Sequence, residues 1–289
     1  TADCQTHLIS PLGSMTTFDE EKICNGVPGA HIEVHSQIDS TNDRAIELIR
    51  QSNLNSPAVI IAESQTSGRG QRSRKWWSGT GSLTFSYVTS LEKNETENRS
   101  SPPSGLISLA SALAVSDALK SINPTLNFEI KWPNDVMLNQ SKIAGILVES
   151  VATDRNQFSV IGIGANINNA NMPTLHDMDD QRESSETTTA TSLAQVSGRS
   201  NSLSDTLIAI LIELEKQISI VSEAPLEIVD RFNQVLLWRE QAVFVTSPSG
   251  AILEGICQGI TPDGGLRIKT KNQIEIIHSG SLQKTDSTA

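Results

Sequence analysis

A group of arginines and glycines stands out in residues 63–77, which read ESQTSGRGQRSRKWW. It places Arg69, Arg72, Arg74 and Lys75 within seven residues, although the whole chain has a formal net charge of -11. Glycine lets backbone N–H groups turn toward a ligand, and arginine binds carboxylate or phosphate oxygens in pairs. A short basic run is often only a solvated turn, but this one predicts a loop that grips an anion.

A second motif, KWPND, spans residues 131–135 between two predicted strands. It offers a nucleotide a stacking surface, hydrogen bonds and a carboxylate near Mg²⁺. A plain β-turn explains Pro133 to Asp135 but not the preceding lysine and tryptophan. Lys142 opens the next apolar strand; it either extends to solvent or neutralises charge on a transferred phosphoryl or acyl group.

Two further stretches carry polar groups or glycines at predicted strand ends. Ser40, Thr41 and Asn42 lie at a strand-to-helix junction, where hydroxyls and free N–H groups can bind a polar ligand; an ordinary helix cap is the commoner explanation. Gly162 and Gly164 end an apolar strand, where they permit close approach of a ligand, although a bulge or tight sheet packing is the ordinary cause.

Composition excludes several other functions. The sequence has no phosphate-binding P-loop motif, and its five histidines form no recognisable Ser-His-Asp triad or metal cluster. We therefore expect neither a covalent nucleophile nor a metal site made by protein alone. The three cysteines lack zinc or redox spacing, which favours a reducing cytoplasm. A pI near 4.9 argues against broad nucleic-acid binding.

The elements that must position these residues follow from hydrophobic periodicity. Strands are predicted over 31–38, 58–63, 83–87, 127–132, 136–138, 142–151 and 158–167, and helices over 41–49, 105–122, 203–220 and 225–238. Close-spaced strands with helices packed on one face indicate an α+β domain with a mainly antiparallel sheet. Polar loops are expected over 90–104 and 168–189, and no run of about 18 apolar residues predicts a transmembrane helix.

Three regions are expected along the chain. Residues 1–30 lack periodicity and predict an irregular lead-in, too short for a helix-turn-helix domain. Residues 31–238 form the main domain with the candidate site. From residue 239, four short strands separated by turn residues predict a small β-barrel that reaches the tail at 289.

Taken in order, five motifs resemble those of the biotin protein ligases, also called holocarboxylase synthetases. They are IDSTN at 38–42, AESQTSGRGQRSRKWW at 62–77, KWPND at 131–135, KIAGILVE at 142–149 and IGIGANIN at 161–168. The resemblance implies a catalytic domain like that of class II synthetases with a small SH3-like C-terminal barrel. It also implies activation of biotin by Mg-ATP as biotinyl-5'-AMP, followed by transfer to a lysine of a biotin carboxyl carrier domain.

The resemblance also implies residue roles. The biotin-binding residues would be Ser40, Thr41, Asn42, Gln65, Gly68, Arg69, Gly70, Gln71, Trp76, Lys142 and Gly145. The ATP-binding residues would be Arg69, Arg72, Arg74, Lys131, Trp132, Asn134, Asp135 and Asn166, and the catalytic residues Arg69, Lys142 and Asp135. Gln71 and Ser73 differ from some relatives, which have arginine and glycine there, so retention of the adenylate is expected to differ.

Two alternatives remain at this point. A lipoate or octanoyl ligase shares a similar fold, although the GRGQ loop together with KWPND favours biotin. A non-enzymatic biotin-binding regulator would keep the pocket, but the intact Arg69, Lys142 and Asp135 argue against it. With the main domain starting near His31, we expect no specific DNA binding and no membrane association, and a homodimer is compatible with the resemblance.

Overall fold

The structure is a computed structural model of the chain. It describes residues 6–8, 17–91 except 53 and 55, 104–170 except 155, and 189–285. Most of the two predicted loops, 90–104 and 168–189, therefore lies outside the described residues.

An eight-stranded mixed sheet forms the centre of the main domain. Its strands are β1 (Thr6–Leu8), β2 (His31–Ile38), β3 (Ala58–Gln65), β4 (Ser82–Leu91), β5 (Phe128–Lys131), β6 (Asp135–Leu138), β7 (Ser141–Ala152) and β8 (Gln157–Asn166). They lie in the order β1-β2-β3-β4-β8-β7-β6-β5. Strands β1 to β3 pair in parallel and the remaining pairs are antiparallel, so the mainly antiparallel α+β fold is confirmed.

The described helices pack on both faces of this sheet. They are α1 (Glu20–Gly26), α2 (Thr41–Arg50), α3 (Ser104–Ile122), α4 (Leu193–Ser197), α5 (Leu203–Glu223) and α6 (Pro225–Val235). Along β3, Val59 and Ile61 join the large core with α3 and α5, whereas Ile60 joins a smaller cluster with α2. Alternate residues of a strand point to opposite faces, so the expectation that helices cover one face is corrected: α2 covers the other.

The first described residues also differ from the expected irregular lead-in. Thr6–Leu8 adds a parallel edge strand to β2, and Glu20–Gly26 forms a helix that Asp19 caps. Ile23 of this helix is fully buried. A helix of seven residues offers too few turns for hydrophobic periodicity to show in the sequence.

A second, five-stranded antiparallel sheet follows near the C-terminus. Its strands are β9 (Ala242–Thr246), β10 (Ile252–Ile260), β11 (Leu266–Lys269), β12 (Ile274–Ile277) and β13 (Ser281–Lys284), in the order β12-β11-β10-β9-β13. The small antiparallel C-terminal unit is thus confirmed, with a fifth strand, Ser281–Lys284, that the sequence did not predict. The boundary placed after residue 238 stays a prediction, because Leu266 and Leu282 share one core with the main domain.

Helix α3 is apolar enough, by length and composition alone, to cross a membrane. Of its most apolar window, however, 72% is buried inside the fold. The helix packs against α5 and strand β7, which is the environment of a core helix.

A buried ion cluster ties α2 to the sheet. The Glu33 carboxylate accepts hydrogen bonds from Arg44 Nε (2.9 Å) and Nη2 (3.0 Å), and lies 3.1 Å from His35 Nε2. Burial alone would raise the pKa of Glu33, but the bonds with His35 and Arg44 outweigh it and bring the pKa to about 2. Glu33 therefore holds in place the helix whose first residues line the candidate site.

Replacing Glu33 with glutamine is expected to lower the free energy of unfolding at pH 7 by about 3 kcal/mol, because Arg44 loses its buried counter-ion. A depressed folded-state pKa stabilises the protein above pH 4.5, the value for a free carboxyl, and this stabilisation is lost as pH falls toward 2. Urea unfolding between pH 7 and 3.5 should show a weaker acid dependence in the variant. An equal slope in both proteins would contradict this role of Glu33.

Candidate active site

An open pocket with about 470 Å³ of unfilled space lies between α2, the 68–76 loop and strands β4, β7 and β8. It is lined by Ser40, Thr41, Asn42, Gln65, Arg69, Gly70, Gln71, Trp76, Thr84, Phe85, Asn134, Lys142, Gly145, Ile146, Leu147, Gly162, Ile163 and Gly164. This figure includes solvent at the open mouth of the pocket. All five sequence motifs thus meet around one cavity.

The N-terminus of α2 forms one wall. Ser40 caps the helix, with its Oγ accepting from the Asp43 N–H at 3.3 Å, so the ordinary cap interpretation is correct as far as it goes. Thr41 donates from its N–H (2.8 Å) and its hydroxyl (3.2 Å) to Oε1 of Gln65. Because Thr41 fixes this oxygen, the amide nitrogen of Gln65 turns toward Gly68 of the loop.

The side chain of Asn42 is held at both ends. Its Oδ1 accepts from the buried Ser86 hydroxyl at 2.6 Å, and its Nδ2 donates to Oε2 of Glu149 at 2.7 Å. A Cβ at Gly162 would lie 2.3 Å from Asn42 Oδ1. Glycine at 162 is therefore needed for tight packing of this side chain on the strand, which is the ordinary explanation and not the close approach of a ligand.

Arg69 reaches from the loop to two carboxylates. Its Nη1 and Nη2 donate to the two oxygens of Glu149 at 3.1 and 2.9 Å, and Nη2 also donates to Asp43 Oδ1 at 2.6 Å. Burial alone would lower the pKa of the guanidinium, but these carboxylates raise it, so Arg69 stays positively charged. Arg69, which the sequence predicts to bind an anion, thus lines the pocket, and two carboxylates of the protein bond it there.

Lys142 supplies the second cation. Its Nζ lies 2.5 Å from Asp135 Oδ1 and 5.7 Å from the centre of the Trp76 ring. Its backbone pairs with the segment that follows the undescribed loop: Lys142 N donates to Thr189 O at 2.8 Å, and Thr191 N donates to Lys142 O at 3.0 Å. The lysine is fixed by backbone and side chain alike, and is not simply extended to solvent.

Trp76 lies flat against glycines of β7 and β8. A Cβ at Gly164 would lie 2.1 Å from the indole, and one at Gly145 would lie 3.3 Å from it. Indole Nε1 and the Thr84 hydroxyl are both buried and, among the described residues, have no hydrogen-bond partner. Buried polar groups need partners, and a ligand with hydrogen-bonding groups would supply them.

The KWPND motif is divided between two environments. Asn134 lines the pocket and donates to Ile146 O at 2.7 Å. Trp132 is 2% exposed and donates from its indole to Gly264 O at 3.1 Å. The expectation that Trp132 gives a nucleotide a stacking surface is therefore corrected: this side chain anchors the C-terminal sheet. Lys131 is likewise buried outside the pocket lining, 5.8 Å from the Trp238 ring centre.

Other predicted residues lie around the pocket without lining it. Arg72, with a left-handed φ of 59°, and Arg74 are exposed, and Asn166 is buried at the end of β8. Gly68 accepts from the Trp76 N–H at 2.9 Å, and Gly70 donates to Arg74 O at 2.7 Å. These bonds shape the loop, and the proposed nucleotide contacts of both arginines and Asn166 stay predictions.

Sequence reasoning missed several residues that line the pocket or bond the residues that do. Glu149 ends the KIAGILVE motif, but only the fold shows that it bonds Arg69 and Asn42. Thr84 and Ser86 alternate on β4 and carried a weak signal, as polar residues inside an apolar strand. Asp43 follows Ser40 at the spacing of a helix-cap partner, which does not reveal its bond with Arg69. None of these roles follows from spacing along the chain.

Two family models match the chain. One, described as the biotin/lipoate A/B protein ligase family, matches residues 34–166. The other, the biotin protein ligase C terminal domain, matches residues 240–284. The first contains every residue that lines the pocket, and the second covers the C-terminal sheet.

Individual relatives agree with this assignment. The bifunctional ligase/repressor BirA of Bacillus subtilis is 29% identical over 266 residues, 89% of this chain and 75% of its own length. The biotin--[acetyl-CoA-carboxylase] ligase of Mycobacterium tuberculosis is 27% identical over 92% of this chain and 95% of its own.

A solved structure extends the comparison to the fold. The biotin protein ligase from Aquifex aeolicus, in complex with biotin and ATP, superposes with a TM-score of 0.71 and 26% identity. The match covers 88% of this chain and 99% of that one. Both family models thus match in order, and over 88% of its length the chain is similar in fold to a biotin protein ligase.

Proposed function

We propose that this protein activates biotin with ATP as biotinyl-5'-AMP and transfers the biotinyl group to a lysine of a biotin carboxyl carrier domain. The observation that carries the proposal is the meeting of Arg69 and Lys142 at one pocket that is also lined by the polar side chains of Thr41, Asn42 and Gln65. A relative with 26% identity holds biotin and ATP together. The pocket of this chain has groups suited to both.

In the first step, a carboxylate oxygen of biotin attacks the α-phosphorus of ATP. A new P–O bond forms, the bond to the bridging oxygen breaks, and pyrophosphate leaves with that electron pair. Both reactants are anions, so Arg69 and Lys142 offset their repulsion and stabilise charge on the phosphoryl oxygens. We propose that Mg²⁺ enters with the nucleotide and neutralises the phosphates that leave.

In the second step, the neutral amine of the acceptor lysine attacks the carbonyl carbon of the mixed anhydride. An amide bond forms, the C–O bond to the phosphate breaks, AMP leaves and the amine loses a proton to solvent. Gly70 and Gln71 line the same pocket as Trp76. We propose that this loop shields the anhydride from water until the carrier domain arrives.

The polar wall suits the ureido ring of biotin. The amide nitrogen of Gln65 is available to donate, because Thr41 fixes the amide oxygen. The Thr84 hydroxyl and Trp76 N–H, which have no partner in the described part of the chain, offer additional hydrogen bonds to a ligand. Ser40, Asn42 and Gly145 complete the biotin side in this proposal, and Asn134, Asp135 and the loop arginines the nucleotide side.

Replacing Arg69 with alanine is expected to weaken biotin binding about 50-fold, within the range for losing a charged hydrogen-bonding partner. Free adenylate should also escape faster, because the loop loses its anchor to Glu149. Calorimetry gives the first quantity, and quenched assays for released adenylate give the second. Unchanged release would show that the loop is not a lid.

Intact mass of a carrier domain, after incubation with this protein, Mg-ATP and either biotin or lipoate, tests the function directly. Controls without ATP, and with the acceptor lysine replaced by arginine, should show no adduct. A biotin adduct on one lysine supports the proposal. A lipoyl adduct would favour the lipoate ligase alternative, and tight biotin binding without pyrophosphate release would indicate a regulator.

A further inference from the structure

Arg69 has two carboxylate partners that differ in how firmly they are held. Glu149 receives three hydrogen bonds, two from Arg69 and one from Asn42, and its side chain is 27% exposed. Asp43 receives one from Arg69 through a single oxygen, and its side chain is 50% exposed. An exposed single contact is weak, whereas a bidentate pair within a network is strong. Asp43 is therefore the easier of the two to displace.

The geometry of the guanidinium group shows which donors a ligand would use. Arginine has five N–H donors in a fixed plane. Glu149 takes the end formed by Nη1 and Nη2, and Asp43 takes the remaining Nη2 hydrogen, on the same edge as Nε–H. If Asp43 leaves, this edge presents two parallel donors, the arrangement that binds a carboxylate or phosphate in bidentate fashion.

We propose that Glu149 is a positioning residue that fixes Arg69 at the pocket, and that the oxyanion of the ligand takes the place of Asp43 on the Nε–Nη2 edge. The inference rests on the proposed function, because it requires an anionic substrate. Glu149 also holds the amide of Asn42 with its nitrogen outward and its oxygen toward Ser86. One carboxylate thus links the cation of the loop to the polar wall of α2.

The proposal predicts opposite changes in biotin affinity when the two acidic neighbours of Arg69 are replaced. Glu149→Gln should weaken biotin binding about tenfold, since Arg69 and Asn42 both lose their fixed partner. Asp43→Asn should tighten it about threefold, since the ligand no longer displaces a charged competitor. Glu47→Gln is the matched control: it removes the same charge from α2, but Glu47 bonds Arg44 and not Arg69. The affinity of Glu47→Gln for biotin should stay within twofold of that of the parent protein.

Calorimetric titrations with biotin, biotin methyl ester and Mg-ATP, each alone, measure whether each substitution tightens or weakens binding. They also identify the anion that binds the Nε–Nη2 edge. Tightening by Asp43→Asn with biotin but not with its ester or Mg-ATP assigns the edge to the carboxylate; tightening with Mg-ATP alone assigns it to phosphate. The proposal is overturned if Asp43→Asn tightens neither, if Glu47→Gln tightens equally, or if folded Glu149→Gln binds like the parent. If Glu149→Gln does not fold, the proposal is judged by the affinities of Asp43→Asn and Glu47→Gln.

These outcomes are separate from those that test the proposed function. The parent protein either modifies the carrier domain or does not, whatever the variants do. If it does, and the two acidic variants change affinity in the same direction, the function stands and this inference fails. If the parent binds biotin without forming adenylate, the proposed function fails, while the binding signs still test the inference.

Discussion

Lys142→Ala should lower the rate of adenylate formation by about 10³-fold, the upper part of the range for losing a preorganised stabiliser of developing charge. Lys142 is set at the pocket by backbone pairing with Thr189 and Thr191 and by its ion pair with Asp135. An alanine there removes a cation and also leaves the Asp135 carboxylate facing two anionic reactants. Single-turnover pyrophosphate release, with biotin and Mg-ATP both saturating, measures the effect on chemistry apart from binding.

Two controls separate these contributions. Lys142→Ala combined with Asp135→Asn removes the cation without leaving a carboxylate, and Asp135→Asn alone gives the effect of losing that carboxylate; any rate that the double variant recovers over Lys142→Ala is a lower limit for the repulsion. Lys216→Ala removes a lysine that pairs with Glu213 on α5, where its side chain is 58% exposed. Its rate should equal that of the parent. Parent-like pyrophosphate release by Lys142→Ala would refute the proposed role of this lysine.

Gly164→Ala is expected to raise the dissociation constant for biotin about 100-fold. The added methyl carbon would lie 2.1 Å from the Trp76 indole. Strand β8 cannot move away, because Gly164 pairs with Thr84 on one side and Gly145 on the other. The indole must therefore shift into the pocket and occupy space that the ligand needs, and a 100-fold loss of affinity corresponds to about 2.7 kcal/mol.

Gly105→Ala is the matched control for this substitution. In the structure the nearest atom to its added carbon is Asp263 O at 3.7 Å, an ordinary contact. Alanine also favours the helical conformation of α3 more than glycine does. Isothermal titration of both variants should therefore separate a local clash from a general effect of added methyl groups. Parent-like affinity of Gly164→Ala would mean that Trp76 does not border the bound biotin.

The sequence alone determined most of the elements and their order. Long amphipathic or apolar segments reveal themselves by periodicity, so helix α3 and strands such as β2 and β8 were predicted within a few residues. The Ser40 cap was also readable, because its signal is local. Short elements such as Glu20–Gly26 and Ser281–Lys284 were missed, since they contain too few residues to show a period.

The sequence predicted many of the residues of the candidate site, but not which residues contact one another. Arg69 and Lys142 were identified by charge in unusual places, and both line the pocket. Trp132 was assigned to a nucleotide because an indole beside a turn suits stacking, but its ring anchors the sheet that begins over a hundred residues later. Residue type gives the chemistry that a side chain can perform; it does not say which way the chain turns it.

The tertiary structure alone decided which charges meet. Glu149 lies 80 residues from Arg69 along the chain, and Asn42 is separated from Glu149 by 107. Antiparallel pairing of β7 with β8, and packing of α2 across them, bring these groups together. Hydrogen bonds and ion pairs act over a few ångströms in space, whereas a sequence motif records only distance along the chain. The motifs therefore indicate the chemistry of the site, and the fold determines how the loop arginine is held.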